Sequence, residues 1–144
     1  MLMKNKLKLI LKIPHYQVTA GLIRWNGKFL ITQRSFNDTF GGLWEFPGGK
    51  RKDGETLEQC LIREIEEELS IKIQVDKKLM SVSHNYDHVQ ITLHVFLCSL
   101  LKGTPEKKDV QDWRWINPPE IDRFDFTEAD QKVIEKLNKF RSIG

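Results

Sequence analysis

A chain of 144 residues, 40% of them hydrophobic and 30% charged, is long enough to bury one core and too short for two ordinary domains. The formal charge of +3 falls well short of the basic stripe of a dedicated nucleic-acid binder, so no stable nucleic-acid complex is expected. Two cysteines, Cys60 and Cys98, make no disulfide framework; one falls in a helical pattern and the other in a strand pattern, as small buried apolar groups of a protein in a reducing cytoplasm.

Lysines interrupt the apolar run of Lys6-Leu7-Lys8-Leu9-Ile10-Leu11-Lys12, and no stretch of signal or membrane length appears anywhere in the chain. Residues 1–14 are read as an N-terminal arm or edge strand, 1–144 as a single domain, and no membrane partner is expected. Gln17 to Trp25 is strand-like, Asn26-Gly27 is a two-residue hairpin signal, and Lys28 to Arg34 returns as a second strand. A loop over Ser35 to Gly42 leads into a short apolar strand, Leu43 to Gly49, that stops at Pro47 and the glycines. Thr56 to Leu69 is the strongest helix, with Leu57, Leu61 and Ile65 recurring along one face. Ile71 to Val75 and Leu79 to Ser83 read as strands, and the apolar run of Gln90 to Leu100 as a central one. A charged loop, Lys102 to Asp112, precedes a brief strand, Trp113 to Ile116, which Asn117-Pro118-Pro119 breaks; Thr127 to Phe140 closes the chain as a helix. That order predicts an α+β domain, a mixed central sheet with helices packed on it.

Glu64, Glu67 and Glu68 stand at i, i+3 and i+4 on one face of the strong helix. Three carboxylates there repel one another by a few tenths of a kcal/mol per exposed pair, roughly, and a structural helix gains nothing from it. The arrangement has two readings, a solvated acidic face or a site for a hard divalent cation. The segment before the helix decides between them. Pro47-Gly48-Gly49 lets the backbone turn sharply and approach a ligand. From Gly49 the chain runs five residues to Glu55 and seven more to Arg63-Glu64-Ile65, followed by Glu67-Glu68 and Ile71.

This pattern resembles the Nudix box, matching every defined position except the last glycine, where Ser70 stands. The resemblance runs from about Gln17 to Leu137 and implies a Nudix-type α/β/α sandwich. It also implies a hydrolase of phosphoric anhydride bonds dependent on Mg²⁺, with Mn²⁺ as a substitute. Glu67 and Glu68 would bind the metals, Glu64 would serve as ligand or base, and Arg63 would pair with Glu55 to support the site. The Gly49 carbonyl would be a further ligand. An additional carboxylate is expected from the loop before the last strand: Asp109 by position, with Glu106 and Asp112 as neighbours that could serve instead.

Leu43 to Lys50 looks most like the MutT branch, whose members convert nucleoside triphosphates to monophosphates and pyrophosphate. By that resemblance Arg24 would contact phosphates, although it reads equally as an Arg at a strand end near the hairpin; Lys50 would join it, and Gln33-Arg34 is another basic candidate that is equally readable as exposed. Tyr86 would line the base pocket, and Asp130 would read the base edge. Asp130 is equally readable as part of a capping box begun by Thr127. His84, His88 and His94 have no trusted metal spacing and divide between surface and core. The expected substrate is a small nucleotide, unmodified or of the 8-oxo-dGTP or CTP/dCTP type, and the protein a monomer or homodimer. Alternatives are a dinucleoside polyphosphate, a nucleotide sugar or an RNA 5′ end, or a non-catalytic module like the C-terminal domain of MutY-type glycosylases. Against the last, every carboxylate of the box is present.

Overall fold

The computed structural model describes residues 13–143, so most of the expected N-terminal arm lies outside the described residues. Strand β1 (His15–Trp25) turns through Asn26-Gly27 into β2 (Lys28–Gln33), both turn residues taking the positive φ that such a hairpin requires. After a loop come β3 (Trp44–Glu45) and β4 (Gly48–Lys50), then helix α1 (Leu57–Leu69). The long strands β5 (Lys72–Tyr86) and β6 (Val89–Lys102) follow as a hairpin, then β7 (Asp112–Ile116), a 3₁₀ segment (Pro118–Arg123) and helix α2 (Glu128–Ile143).

The strands form one mixed sheet in the order β3-β2-β1-β6-β5, with β4 added to β1 and β7 to β2. Among the described strands the β1–β6 pairing is parallel and the others antiparallel, with register from His15 opposite Gln90 to Arg24 opposite Ser99. Side chains alternate across a strand, so β1 feeds two cores. Ala20 and Leu22 pack with Leu93, Val95, Phe126 and Val133 under α2, while Ile23 packs with Leu61, Ile65, Leu69, Phe96 and Cys98 under α1. The result is the α+β sandwich with a mixed sheet that the sequence predicts. No described helix is long and apolar enough to cross a membrane.

Three elements differ from the sequence reading. Lys77-Lys78 reads as a break between two strands, yet β5 runs on through it, its register against β6 shifting at Val75/Lys77 and Lys78/Met80. Bulges absorb the charged residues without ending the ladder. The expected strand over Leu43 to Gly49 is two short ones, because β3 pairs with β2 and β4 with β1. The Pro-Pro break is itself a 3₁₀ turn.

Helix α1 starts with a capping box: the Gln59 N–H donates to Thr56 Oγ1 (3.1 Å) and the Thr56 N–H to Gln59 Oε1 (2.9 Å). It ends at Ser70, which is left-handed at φ 56°, ψ 33° and donates its N–H to the Glu66 carbonyl. The departure from the box glycine thus leaves the helix end in place, at the strain of a side chain in a left-handed residue. Ser70→Gly is expected to raise unfolding stability by about 0.5–1 kcal/mol in urea titrations. A loss of stability would show that the serine side chain is needed at the cap.

Candidate active site

Gly48 and Gly49 lie on β4 against Val18 to Ala20 of β1. A methyl group on Gly48 would fall on the Thr19 carbonyl, so the two backbones meet there at a distance only glycine permits. A methyl on Gly49 would instead strike the carboxylate of Glu64, which lies directly against the glycine. The Gly49 carbonyl accepts from Thr19 Oγ1 (3.2 Å) and Cys60 Sγ (3.5 Å), both buried side chains. Strand β4 and helix α1 are thereby locked together at the site.

Arg63 organises the acidic face. Its Nε and Nη2 hold Glu55 in a two-pronged pair (2.9 and 2.6 Å), Nη1 reaches Glu64 (2.8 Å) and Glu67 (3.2 Å), and Nη2 also meets the Lys50 carbonyl (3.3 Å). The hydrogen bonds from Arg63, then that from the Lys52 N–H, hold Glu55 down at a pKa of about 2. The same contacts raise the pKa of Arg63.

Glu68 lies on the other side of this arrangement and has no such partner. Burial first, then the charges of Glu45, Glu64 and Asp109, push its pKa up to about 9, with Arg34 opposing weakly. The loop after β6 brings Asp109 there: the N–H groups of Lys108 and Asp109 donate to the Glu68 carbonyl (3.2 and 3.3 Å) and that of Glu106 to Leu69 (2.9 Å), capping the end of α1. Asp109 and Glu106 are both exposed, but of the two Asp109 is the one whose charge acts on Glu68, and Asp112 is occupied by Lys107 and Arg114.

A cavity of about 610 Å³ opens beside this cluster. Gly49, Lys50, Glu64 and Glu68 line one end, and Tyr86, Thr127 and Asp130 the other. Asp130 is 5% exposed; its carboxyl accepts from Thr127 Oγ1 (2.5 Å) and, at 3.5 Å, from the Phe46 N–H. Burial, then the charge of Glu45, raises its pKa to about 8. In a capping box Asp130 would bind the Thr127 N–H, but that donor goes to the Trp44 carbonyl (3.0 Å). Half of the box is nonetheless present, the Asp130 N–H donating to Thr127 Oγ1 (3.4 Å), and the Asp130 carboxyl lines the cavity. Lys50 Nζ stands 3.4 Å over the Tyr16 ring at its rim.

Arg24 requires a correction. It lies at the far end of β1, turned to Asp76 (3.4 Å), and does not line the cavity. The arginine that does is Arg34, held by Glu45 (3.2 Å) and by the Thr39 carbonyl (2.8 Å). Of the histidines, His88 lines the cavity, His84 bonds Glu128, and His94 bonds Gln17 on β1. The sequence reading missed Glu45. Its signal was the alternation of Trp44-Glu45-Phe46, which sends Glu45 to the face opposite the two aromatics, toward Arg34 and Glu68 and not into solvent.

With this geometry established, the model of the NUDIX domain matches residues 19–136. The chain belongs to the Nudix family. An 8-oxo-dGTP diphosphatase of Escherichia coli K12 is 33% identical over 124 residues, covering 85% of this chain and 96% of its own. A CTP pyrophosphohydrolase of the same organism is 32% identical over 126 residues, covering 88% and 93%. Among solved structures, that of the E. coli ORF135 protein superposes with a TM-score of 0.76 at 30% identity, over 92% of this chain and 94% of that one.

The Nudix face fits a hard divalent cation. Every donor that it offers is oxygen, and Glu68 sits in an excess of negative charge that Arg34 alone does not balance. Among the described residues no three His, Cys, Asp or Glu side chains converge as ligands, because Arg63 holds Glu64 and Glu67 to its own side. Gly49→Ala is expected to displace Glu64 and weaken Mn²⁺ binding at least 10-fold, roughly the cost of disturbing a ligand's support, with little change in melting temperature. Gly48→Ala, which strikes backbone, is expected to lower the melting temperature itself. Equal melting losses in both would contradict this division.

The raised pKa of Asp130 has a consequence for stability. Unfolded, the carboxyl gives up its proton near its ordinary value of 3.8; folded, it keeps the proton until about 8. The folded state thus binds the extra proton between those limits, and stability falls as pH rises through them. Glu68 acts in the same direction up to about 9. Melting curves from pH 5 to 8.5 in metal-free buffer are expected to fall for the native protein and to fall less steeply for Asp130→Asn. Parallel curves would show that Asp130 is ionised in the folded protein.

Proposed function

We propose that the protein is a Mg²⁺-dependent pyrophosphohydrolase that converts a nucleoside triphosphate to its monophosphate and pyrophosphate. One observation carries the reading: a single cavity joins Glu64 and Glu68 of the Nudix helix to a pocket walled by Tyr86 and floored by Asp130. An elongated substrate with an anionic and an aromatic end fits such a cavity. The names of the E. coli relatives, an 8-oxo-dGTP diphosphatase and a CTP pyrophosphohydrolase, support the same class.

Glu64, Glu67, Glu68 and the Gly49 carbonyl would hold the cation, with Asp109 adding charge from the facing loop. The cation, when bound, would neutralise phosphate oxygens and lower the pKa of attached water. Arg63 Nη1 bridges Glu64 and Glu67, and the same guanidinium is fixed to Glu55. Lys50 and Arg34 supply positive charge at the cavity, which a triphosphate requires as its oxygens crowd together. Arg34 is pre-positioned by Glu45, so little side-chain entropy remains to be lost on binding.

Asp130 reads the base. Below pH 8 its carboxyl is mainly protonated, so it donates to a carbonyl oxygen and accepts from a neighbouring N–H. Guanine and its 8-oxo form present such a pair in O6 and N1–H, and cytosine presents an equivalent one in N3 and its amine, so the acid suits either class of base.

The test is pyrophosphate release from a panel of canonical and oxidised nucleoside triphosphates with Mg²⁺, with dinucleoside polyphosphates and nucleotide sugars alongside. The native protein should release pyrophosphate from a triphosphate, and Glu67→Gln or Glu68→Gln should lower kcat by about 100-fold or more while the fold is kept. Turnover only on the other compounds would replace the substrate, and an active Glu67→Gln would remove the proposed site.

A further inference from the structure

Phe40 lies in the loop between β2 and β3 with φ at 61°, a left-handed conformation that a bulky aromatic residue rarely adopts. The loop imposes it: the Gly41 N–H binds the Asp38 carbonyl (3.0 Å), the Leu43 N–H binds that of Phe40 (3.2 Å), and Arg34 Nε binds that of Thr39 (2.8 Å). The ring is thereby set against Tyr86, centroid to centroid 4.6 Å, at a tilt of 38°. Tyr86 is the fixed member of the pair. Its hydroxyl accepts the Ala129 N–H (3.3 Å) at the start of α2, and the His84 ring packs against it at 4.5 Å.

Phe40 is 41% exposed and belongs to neither core, so its contact with Tyr86 is not needed to bury apolar surface beneath the sheet. Both rings line the cavity that Asp130 floors. Two rings at this separation leave no room for a third between them; one more aromatic layer needs about 3.5 Å of further opening. The cover to be moved is the exposed Phe40 side chain, on a loop that carries Gly41-Gly42.

We propose that Phe40 and Tyr86 are the closed form of a base clamp: the nucleobase enters between them, Tyr86 as the fixed wall and Phe40 as the movable one. The base exchanges water on both faces for aromatic contact, and its edge is brought to Asp130. Phe40 is then a determinant of nucleotide affinity that acts on any base through its face, while Asp130 selects among bases by their edges. The clamp rests on the nucleotide reading of the cavity given above.

The test compares binding with and without a base. KM for the preferred nucleoside triphosphate, the calorimetric Kd of the corresponding monophosphate, and the Ki of inorganic triphosphate are measured for the native protein, Phe40→Ala, Phe40→Leu, Phe40→Tyr and Phe40→Gly. Loss of one stacking partner should raise KM and Kd about 10-fold in the Ala, Leu and Gly variants, leave kcat within about twofold, and leave the Ki of inorganic triphosphate unchanged. Phe40→Tyr should restore affinity. Phe40→Gly, which suits the positive φ, should keep the native melting temperature while losing nucleotide affinity. Unchanged KM in Phe40→Ala, an equal rise in the inorganic triphosphate Ki, or full rescue by Leu would each overturn the clamp. Should the native protein itself bind inorganic triphosphate as tightly as the nucleotide, the nucleotide reading fails, and the clamp with it.

Discussion

Everything at this site turns on how negative charge is distributed along one face of α1. Glu64, Glu67 and Glu68 are neighbours on a helix, and Glu45 and Asp109 are brought toward them from β3 and the loop after β6. The protein does not neutralise this charge evenly. Arg63, a planar fork with several donors, takes Glu55, Glu64 and Glu67 to itself. Glu68 is left half-buried, and that burial, then the like charges around it, push its pKa up to about 9. A helix built only for stability would not keep such a residue; a site that receives a cation needs one.

The fold supplies the distances. Gly48 lets β4 lie against β1, and Gly49 leaves space for the Glu64 carboxylate. Thr19 and Cys60 hold the Gly49 carbonyl from the sheet and from the helix together. From that junction the cavity extends along the α2 face of the sheet to Asp130. Thr127 does two things at its far end: it caps α2 and donates to the Asp130 carboxyl, which lines the cavity. The acidic end and the Asp130 end of the cavity are thus fixed to the same sheet from opposite helices.

Much of this was legible in the chain. The spacing from Gly49 through Glu55 to Arg63 and Glu68 is local, so sequence pattern and helical geometry suffice to place those groups together. The hairpin at Asn26-Gly27 and the start of α1 at Thr56 are equally local. What the pattern does not show is long-range. Arg24 lies near the end of β1 and Arg34 just past the end of β2, and only the pairing of β2 with β3 puts Arg34 beside Glu45, while Arg24 goes to Asp76 on β5. Glu45 is one polar residue in an apolar strand until the sheet turns it to Glu68. Phe40 reads as loop material, and its contact with Tyr86 joins segments far apart in sequence. The bulges of β5 depend on its partner β6, so Lys77-Lys78 looks like an end where none exists.

The central claim is that the uncompensated charge around Glu68 is there to receive a divalent cation. Cation and proton compete for the same carboxylate, so the gain in melting temperature on adding Mg²⁺ should grow as pH rises from 6 to 9. Measured for the native protein and for Glu68→Gln, that gain is predicted to increase with pH in the first and to be small and pH-independent in the second. An equal gain in both proteins, or one that is flat with pH in the native protein, would contradict the account.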